Sequence, residues 1–279
     1  MVGDHLVQPI IACIGFPIAG NPTQFVTERT LKTLGLDWCV VTTAVPSDLL
    51  EQALLGAKAM RFAALALLPT HQNEICNLLD QLTEAAQLSR QVQAAKRIEE
   101  VWVGHDLRGE AMVQALRDHS ITPDRHLLVV GSPEMGSMIP LVDAVWNEHI
   151  HTPTSLEELK SRLELTSDGD VSEPIPEHGS AESTAMMPTI SALAVSLSCS
   201  PEFDKELEQY SLATNGLLIS FGDLSQHAGW KEWATKRGWS YLSPFDFQAI
   251  LLAKMFVFWT QTEPPIALVR EWMDEYYEF

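Results

Sequence analysis

Apolar residues along the first third of the chain occur in short runs that alternate with segments of helical spacing. The runs predict strands at residues 10–15, 37–45 and 62–68. Helices are predicted after them, at residues 25–34, 48–60 and 73–82. Gly35 closes the first helix, and Ser47 is expected to cap the second. Strands separated by helices of this length indicate βαβ units and a mostly parallel sheet.

A second α/β unit is predicted to begin near Pro123. A strand, a Gly-containing turn and a helix start span residues 125–145, and a further helix begins at its expected cap, Ser155. Residues 164–184 are rich in Ser, Pro, Gly and acidic side chains, which predicts a mobile surface loop. Strands are predicted at 192–198 and 216–221 and a helix at 230–239. The apolar segment 247–259 predicts a helix that is buried on nearly all sides.

The net charge of the chain indicates which classes of macromolecule are poor partners. There are 37 acidic and 18 basic residues, for a formal charge of −19. Such a field repels nucleic acid and anionic membranes, so neither is expected as a partner. No apolar run approaches the ~20 residues that span a bilayer, and the first residues lack a basic signal-peptide region, so a cytoplasmic protein is expected.

The four cysteines are too far apart in sequence for a C-x-x-C pair. Three of them sit in apolar stretches and are expected to be buried free thiols, and no metal or disulfide role is expected. The pair His149 and His151 has the spacing of metal ligands, but no third ligand is near, so these side chains are interpreted as exposed loop histidines and no metal is expected.

Five segments together resemble the shikimate dehydrogenase family, among them residues 78–87 (LLDQLTEAAQ), which match one of its helices. Residues 15–23 (GFPIAGNPT) resemble the opening G-N-P-I-x-H-S-x-S, and residues 62–74 (FAALALLPTHQNE) resemble F-x-G-x-N-V-T-I-P-H-K-E. Residues 103–116 are similar to the N-T-D-G-x-G-F helix start, and residues 245–265 to the terminal helix. The order and spacing of the segments are kept over nearly the whole chain.

The resemblance implies an α/β fold in three parts. Residues 1–118 form a substrate-binding domain, residues 119–243 form a Rossmann-like dinucleotide-binding domain, and residues 244–279 form C-terminal helices that pack on the first domain. It also implies the NADP-dependent interconversion of 3-dehydroshikimate and shikimate, a step of aromatic amino-acid biosynthesis.

The catalytic residues that the resemblance implies are a lysine and an aspartate. Gln72 occupies the lysine position and Asp106 the aspartate position. A glutamine amide donates a hydrogen bond but gives up no proton near neutral pH, and loss of a general acid lowers rates by roughly 10²–10⁴-fold. Asp106 could instead serve only as a carboxylate at a helix N-terminus. His71 and His105 are the nearby alternatives as proton donors.

The positions that the resemblance assigns to the substrate have changed in character. The candidate substrate-binding residues are Asn21, Thr23, Gln93, Asp106 and Gln248. Two polar positions of the family motif have become apolar, at Ala66 and Leu68, and Leu251 replaces a glutamine. A buried shikimate would leave hydroxyl groups unpaired, so a different small polyol carboxylate is an open alternative.

The expected NADP site lies in the turn after the strand of the second unit. Gly131, Ser132 and Gly136 are the candidate cofactor-binding residues. Pro133 removes an N–H donor from this turn, and Glu134 places a carboxylate where phosphate should bind. No arginine stands at 152–154, where the family selects the 2′-phosphate, so the sequence argues against NADP binding.

Three hypotheses about function follow from these substitutions. The first is a shikimate dehydrogenase-like protein with impaired or lost catalysis. The second is an active NAD(P)-dependent oxidoreductase that acts on another polyol or hydroxy acid. The third is a non-catalytic binding or interaction protein.

Overall fold

The structure is a computed structural model that describes residues 8–130, 142, 150–151, 189–196, 207, 210–221 and 227–278. The predicted cap Ser155, the helix after it, the surface loop at 164–184 and the cofactor turn at 131–136 lie outside these residues. The chain divides into two units. The first contains Met1–Ala115, Pro140–Ala144 and Phe245–Phe279, and the second contains Leu116–Ile139 and Val145–Pro244.

The described strands and helices are numbered in chain order. The strands are β1 Ile10–Gly15, β2 Cys39–Ala44, β3 Ala64–Leu67, β4 Gln81–Leu82, β5 Ala94–Ile98, β6 Val101–His105, β7 His126–Val130, β8 Ile150–His151, β9 Thr189–Val195, β10 Ser211–Ser220 and β11 Ser240–Leu242. The helices are α1 Thr23–Thr33, α2 Leu50–Ala59, α3 Glu84–Ser89, α4 Arg108–Asp118, α5 His227–Lys236, α6 Pro244–Thr260 and α7 Ile266–Glu278. Short 3₁₀ helices occur at Ser47–Leu49, Pro69–His71 and Glu74–Asn77.

The first unit is built on a six-stranded sheet in the order β2-β1-β3-β5-β6-β4. β1 is parallel to β2 and β3, whereas β5 is antiparallel to both β3 and β6. This direction change brings the start of β5 to the same sheet edge as the ends of β1, β3 and β6. Residues that follow those three strands, or precede β5, are therefore neighbours in space.

The second unit contains a five-stranded sheet in the order β11-β10-β9-β7-β8, and every described pairing in it is parallel. β7 ends at Val130, directly before the residues of the predicted cofactor turn. The α/β class predicted from the sequence, with parallel strands alternating with helices, is confirmed in both units.

Alternate residues of β1 serve two separate cores, as the two-residue period of a strand requires. Ile11 and Cys13 pack with α1, α6 and α7, whereas Ala12 and Ile14 pack with α2 and Trp102. The C-terminal helices therefore contribute to the core of the first unit. α6 buries eight of its side chains, which confirms the helix predicted from the apolar segment 247–259.

Two local predictions are wrong. Residues 73–82 do not form a helix, because a 3₁₀ turn at Glu74–Asn77 is followed by Asp80, whose carboxylate accepts hydrogen bonds from Lys58 Nζ and the backbone of Trp102. These tertiary bonds override the helical spacing. Ser47 does not cap a helix: it begins a 3₁₀ turn, and α2 begins only at Leu50.

The sequence patterns also missed the β5–β6 hairpin. Charged residues interrupt its apolar pattern, and Glu99 at its turn has a positive φ of 57°. Gly35, in contrast, ends α1 as predicted, with a φ of 67°. In the part of the chain that the structure describes, helices fall short of the length and apolar character that crossing a membrane requires.

Candidate functional site

The edge of the first sheet brings three of the predicted site residues together. Gln72 follows β3 at the end of a 3₁₀ turn, Gln93 precedes β5, and Asp106 follows β6. Backbone hydrogen bonds fix their register, from Leu67 N to Gln93 O at 2.9 Å and from Gln93 N to His105 O at 3.1 Å. The strand order therefore places side chains that are 34 positions apart in sequence, from 72 to 106, in one polar cluster.

The two glutamines form a directional chain of hydrogen bonds. The backbone N–H of Leu107 donates to Gln93 Oε1 at 2.9 Å, and Gln93 Nε2 donates to Gln72 Oε1 at 3.3 Å. Gln72 Nε2 in turn donates to the carbonyl oxygen of Leu67 at 2.9 Å. Each amide is thus an acceptor on one side and a donor on the other, which fixes its orientation. Gln93 is buried, with 2% of its surface exposed.

Asp106 is paired within its own turn. Its Oδ1 accepts from the backbone N–H of Arg108 at 3.0 Å and from Arg108 Nε at 3.1 Å, and its Oδ2 accepts from Arg108 Nη2 at 2.7 Å. The Asp106 side chain is 0% exposed and that of Arg108 is 14% exposed. Both oxygens of the carboxylate are therefore engaged by Arg108, whose planar guanidinium binds in the bidentate geometry that arginine favours.

The residues after β1 form a second group. Asn21 Oδ1 accepts the backbone N–H of Thr23 at 2.9 Å, which satisfies one of the free donors at the start of α1. Gln248 is half-buried on α6. In the described part of the chain, no hydrogen bond joins Asn21, Thr23 or Gln248 to the cluster of Gln72, Gln93 and Asp106. Their role in ligand binding stays a prediction.

The segment that links β1 to this sheet edge is packed closely against Leu68. A Cβ placed on Gly15 would come within 2.5 Å of Leu68 Cβ, so only glycine fits there without a shift. The backbone N–H of Phe16 donates to Thr70 Oγ1 at 3.3 Å. Leu68 is 8% exposed, and its side chain fills space that a smaller polar residue would leave open.

The two histidines considered as alternative proton donors both have structural roles. His71 is fully buried, and its Nε2 lies 2.7 Å from the carbonyl oxygen of Val45. His105 Nδ1 lies 2.7 Å from Thr83 Oγ1, and its Nε2 lies 2.8 Å from Glu110 Oε1. Hydrogen bonding from His105 lowers the pKa of the Glu110 carboxyl. With both ring nitrogens of His105 engaged, a proton transfer from it would first break one of these bonds.

The described cysteines are free thiols, as expected. Cys13 and Cys76 are buried and Cys39 is half-buried, while Cys199 lies outside the described residues. Burial raises the pKa of Cys13 to about 12. Among the described residues, no three His, Cys, Asp or Glu side chains are arranged around a position that could hold a metal ion.

The predicted cofactor turn contains two residues that disfavour pyrophosphate binding. Gly131, Ser132 and Gly136 lie outside the described residues, so their prediction rests on the sequence. Of the turn's six residues, Pro133 has no N–H to offer, and Glu134 carries the same charge as the phosphate. The residues of this turn therefore give no support to a reaction step through a bound nicotinamide.

Sequence reasoning missed two residues of this site, Arg108 and Glu110. An arginine two positions after an aspartate at a helix start is the signal that could have indicated the pairing of Asp106. Glu110 is five positions after His105, on the first turn of α4, where a carboxylate is favoured by the helix dipole. Its contact with His105 depends on the chain direction after β6, which the sequence patterns did not specify.

Comparison with known proteins agrees with the fold. The shikimate dehydrogenase (NADP(+)) of Geobacter metallireducens is 30% identical over 125 residues, which is 44% of this chain and 44% of that protein. The match therefore spans less than half the length of this curated relative. No protein-family model matches the chain.

Solved structures of similar fold cover almost all of the chain. The ligand-free 5-ketofructose reductase of a Gluconobacter species has a TM-score of 0.74 and 17% identity, covering 97% of this chain and 99% of that one. The shikimate 5-dehydrogenase of Thermus thermophilus, in complex with NADP(H) and shikimate, has a TM-score of 0.72 and 15% identity, covering 96% of this chain and 100% of that one. Identities this low establish the fold alone. The chain thus resembles a shikimate dehydrogenase in sequence over 44% of its length and shares the fold of these structures over almost all of it.

Proposed function

We propose that this protein binds a small polyhydroxylated carboxylate at the sheet edge of its first unit and has lost, or nearly lost, the hydride-transfer chemistry of shikimate dehydrogenases. The observation that carries the proposal is the environment of Gln72. Its amide is tied to Leu67 and Gln93 at the position where the resemblance implies a lysine.

Reduction of a ketone requires a proton as well as a hydride, because the carbonyl oxygen gains negative charge as the hydride arrives. A glutamine amide can polarise that oxygen with an N–H but cannot supply the proton. Asp106 is buried and held by Arg108, and both histidines nearby are engaged with other groups. No described side chain of this cluster is therefore placed as an efficient general acid.

Weak or absent NADP binding is part of the proposal. The relatives named above include an NADP(+) enzyme and a complex with NADP(H). In this chain Pro133 and Glu134 oppose pyrophosphate binding, and the formal charge of −19 adds long-range repulsion. A fluorescence titration with NADPH and NADH, at low and moderate salt, tests this part. Saturation at micromolar concentrations of either cofactor would contradict it.

The net charge of the chain and the residues of the site favour a small-molecule ligand over a nucleic acid or a membrane surface. The acidic charge disfavours both of those partners, whereas the glutamine amides offer uncharged donors and acceptors suited to hydroxyl groups. Shikimate is the first probe, because it is bound in the complex of the Thermus thermophilus protein. A ketose is the second, because a reductase of 5-ketofructose shares the fold.

The experiment that tests the loss of chemistry compares the wild-type chain with Gln72→Lys and Gln72→Met, each assayed for shikimate oxidation with NADP⁺ and NAD⁺. Methionine matches the length of glutamine without its donor, so it controls for any change of packing. Absence of turnover in the wild-type chain and in Gln72→Met would support the proposal, whether or not lysine at position 72 restores turnover, because the cofactor turn is a separate defect. Turnover by the wild-type chain that survives Gln72→Met would refute it, and would favour an active oxidoreductase with another proton donor.

A further inference from the structure

Arg108 is the feature of the cluster that the loss of lysine at position 72 does not explain. Three of its nitrogens, the backbone N, Nε and Nη2, donate to Asp106 at distances of 2.7–3.1 Å. Both side chains belong to one turn at the start of α4, so the pair forms with little loss of chain entropy. A guanidinium that grips a carboxylate with two parallel bonds holds it more specifically than a lysine could.

We propose that Arg108 serves as a built-in ligand of Asp106 and is a second, independent barrier to ligand recognition by that carboxylate. The cluster's positive charge is located at position 108, on the Asp106 side, and position 72 carries an uncharged amide. This inference rests on the proposed function, because it concerns recognition of a polyol at the same site.

The count of acceptor positions supports this role. Asp106 Oδ1 already accepts two hydrogen bonds and Oδ2 accepts one, and the side chain has no exposed surface. Arg108 therefore takes three of the roughly four acceptor positions of the carboxylate, and a ligand hydroxyl can use those three only by displacing an Arg108 donor. Since hydrogen bonds to charged groups are among the stronger ones, few neutral hydroxyl groups compete with a guanidinium for this position.

Restoring a cation at position 72 is consequently insufficient by itself. In Gln72→Lys, Asp106 stays occupied by Arg108, and the cluster gains an uncompensated positive charge. In the exchange Gln72→Lys/Arg108→Gln, the net charge of the wild-type chain is kept and the cation moves to position 72. The carboxylate then becomes free to accept a hydroxyl from a ligand.

Calorimetric titration of shikimate into the full chain, without cofactor, tests the inference. The exchange variant is expected to bind shikimate about tenfold or more tightly than Gln72→Lys alone, since one hydrogen bond to a charged group is worth that factor. Adding Asp106→Asn to the exchange variant is expected to remove the gain. The matched control is Gln72→Lys/Arg117→Gln, which has the same net charge but removes the exposed arginine at the other end of α4.

Several outcomes would overturn the inference. Equal affinity of the exchange variant and the control would do so, as would a gain that persists with Asp106→Asn, or the absence of shikimate binding to every folded variant. If the exchange variant does not fold, shikimate is titrated into Gln72→Lys/Arg108→Lys instead. Lysine contacts one carboxylate oxygen at a time, so this variant is expected to give a smaller gain over Gln72→Lys alone, which has the same net charge, and no gain would contradict the role of Arg108.

The test separates this inference from the proposed function. Shikimate turnover by the wild-type chain would end the proposal of lost catalysis, yet the binding comparison at position 108 would still stand or fall by itself. An inactive wild-type chain whose Gln72→Lys variant already binds as tightly as the exchange variant would keep the proposed function and remove the role of Arg108.

Discussion

Gln72 and Gln93 share a hydrogen bond of 3.3 Å that joins the ends of two antiparallel strands, β3 and β5. The bond is one link of a chain that runs from the N–H of Leu107 to the carbonyl oxygen of Leu67. Because the backbone groups at its ends are a donor and an acceptor, the orientation of both amides is determined. The two amides are therefore held in one orientation, and any residue at position 72 has to fit this direction.

Substitution of Gln93 by leucine is expected to destabilise the protein by about 1–3 kcal/mol, because it leaves the buried N–H of Leu107 without an acceptor. Urea denaturation of the full chain measures the change. Gln52→Leu, at an exposed glutamine of α2, is the control and is expected to change stability by less than about 0.5 kcal/mol. Equal effects of the two substitutions would show that the amide chain contributes nothing to stability.

Two glycine substitutions are expected to have opposite signs. Gly15→Ala should destabilise the protein by about 1–3 kcal/mol, because the new Cβ would lie 2.5 Å from Leu68 Cβ. Gly56→Ala should stabilise it by about 0.5–1 kcal/mol, because Gly56 lies within α2 and the nearest atom to its Cβ position, Met60 Cε, is 3.9 Å away. Thermal unfolding of both variants, compared with wild type, measures the two changes in stability. Tolerance of alanine at position 15 would mean that Leu68 does not pack as described.

The hydrogen bond between Glu110 and His105 predicts a pH-dependent contribution to stability. The pKa of Glu110 is lowered from its ordinary 4.5, first by the hydrogen bond from His105. A lowered carboxyl pKa stabilises the fold at pH values above the ordinary one, and that contribution is lost as the pH falls through the lowered value. Since the Glu110 side chain is 55% exposed, the contribution is expected to stay below about 1 kcal/mol.

The measurement for this pair is the difference in unfolding free energy between wild type and Glu110→Gln, taken at about pH 6 and about pH 3.5. The difference is expected to shrink at the lower pH. Glu271→Gln, at an exposed glutamate of α7, should show no such change. A difference for Glu110→Gln that grows on acidification would have the wrong sign for this account.

Cys13 is expected to resist alkylation in the folded protein. Its pKa is raised to about 12 by burial, and 1% of its surface is exposed. At pH 8 the reactive thiolate would therefore be roughly one part in 10⁴. Peptide mapping after iodoacetamide treatment should find Cys39 modified before Cys13, and Cys13 modified only after denaturant is added. Modification of Cys13 at the rate of Cys39 in native buffer would contradict its burial.

The sequence predicted the elements whose apolar pattern is continuous. β1 and α6 lie where the apolar runs placed them, because strand and helix burial is read directly from residues two, or three to four, positions apart. The segment 73–82 was mispredicted because its conformation depends on Asp80, which bonds to Lys58 and Trp102, each 22 positions away. Spacing within a segment carries no information about such bonds.

The residues of the candidate site were also predicted only in part. The resemblance to a known family identified Gln72, Gln93 and Asp106, and strand order brings these three together. Arg108 was not identified, because its position two residues after Asp106 at a helix start allows the pairing but the rotamers of both side chains decide it. Asn21 does bond to Thr23, but only the fold could show that its carbonyl oxygen is used by the start of α1.

The measurement that tests the central claim most directly is shikimate turnover by the purified wild-type chain. The assay uses saturating shikimate with NADP⁺, then NAD⁺, and an active shikimate dehydrogenase is run in parallel as the positive control. The account predicts a rate at least about 10²-fold below that control, the lower bound for removal of a general acid. A wild-type rate within about tenfold of the control would contradict the claim that Gln72 and the Arg108–Asp106 pair have removed this chemistry.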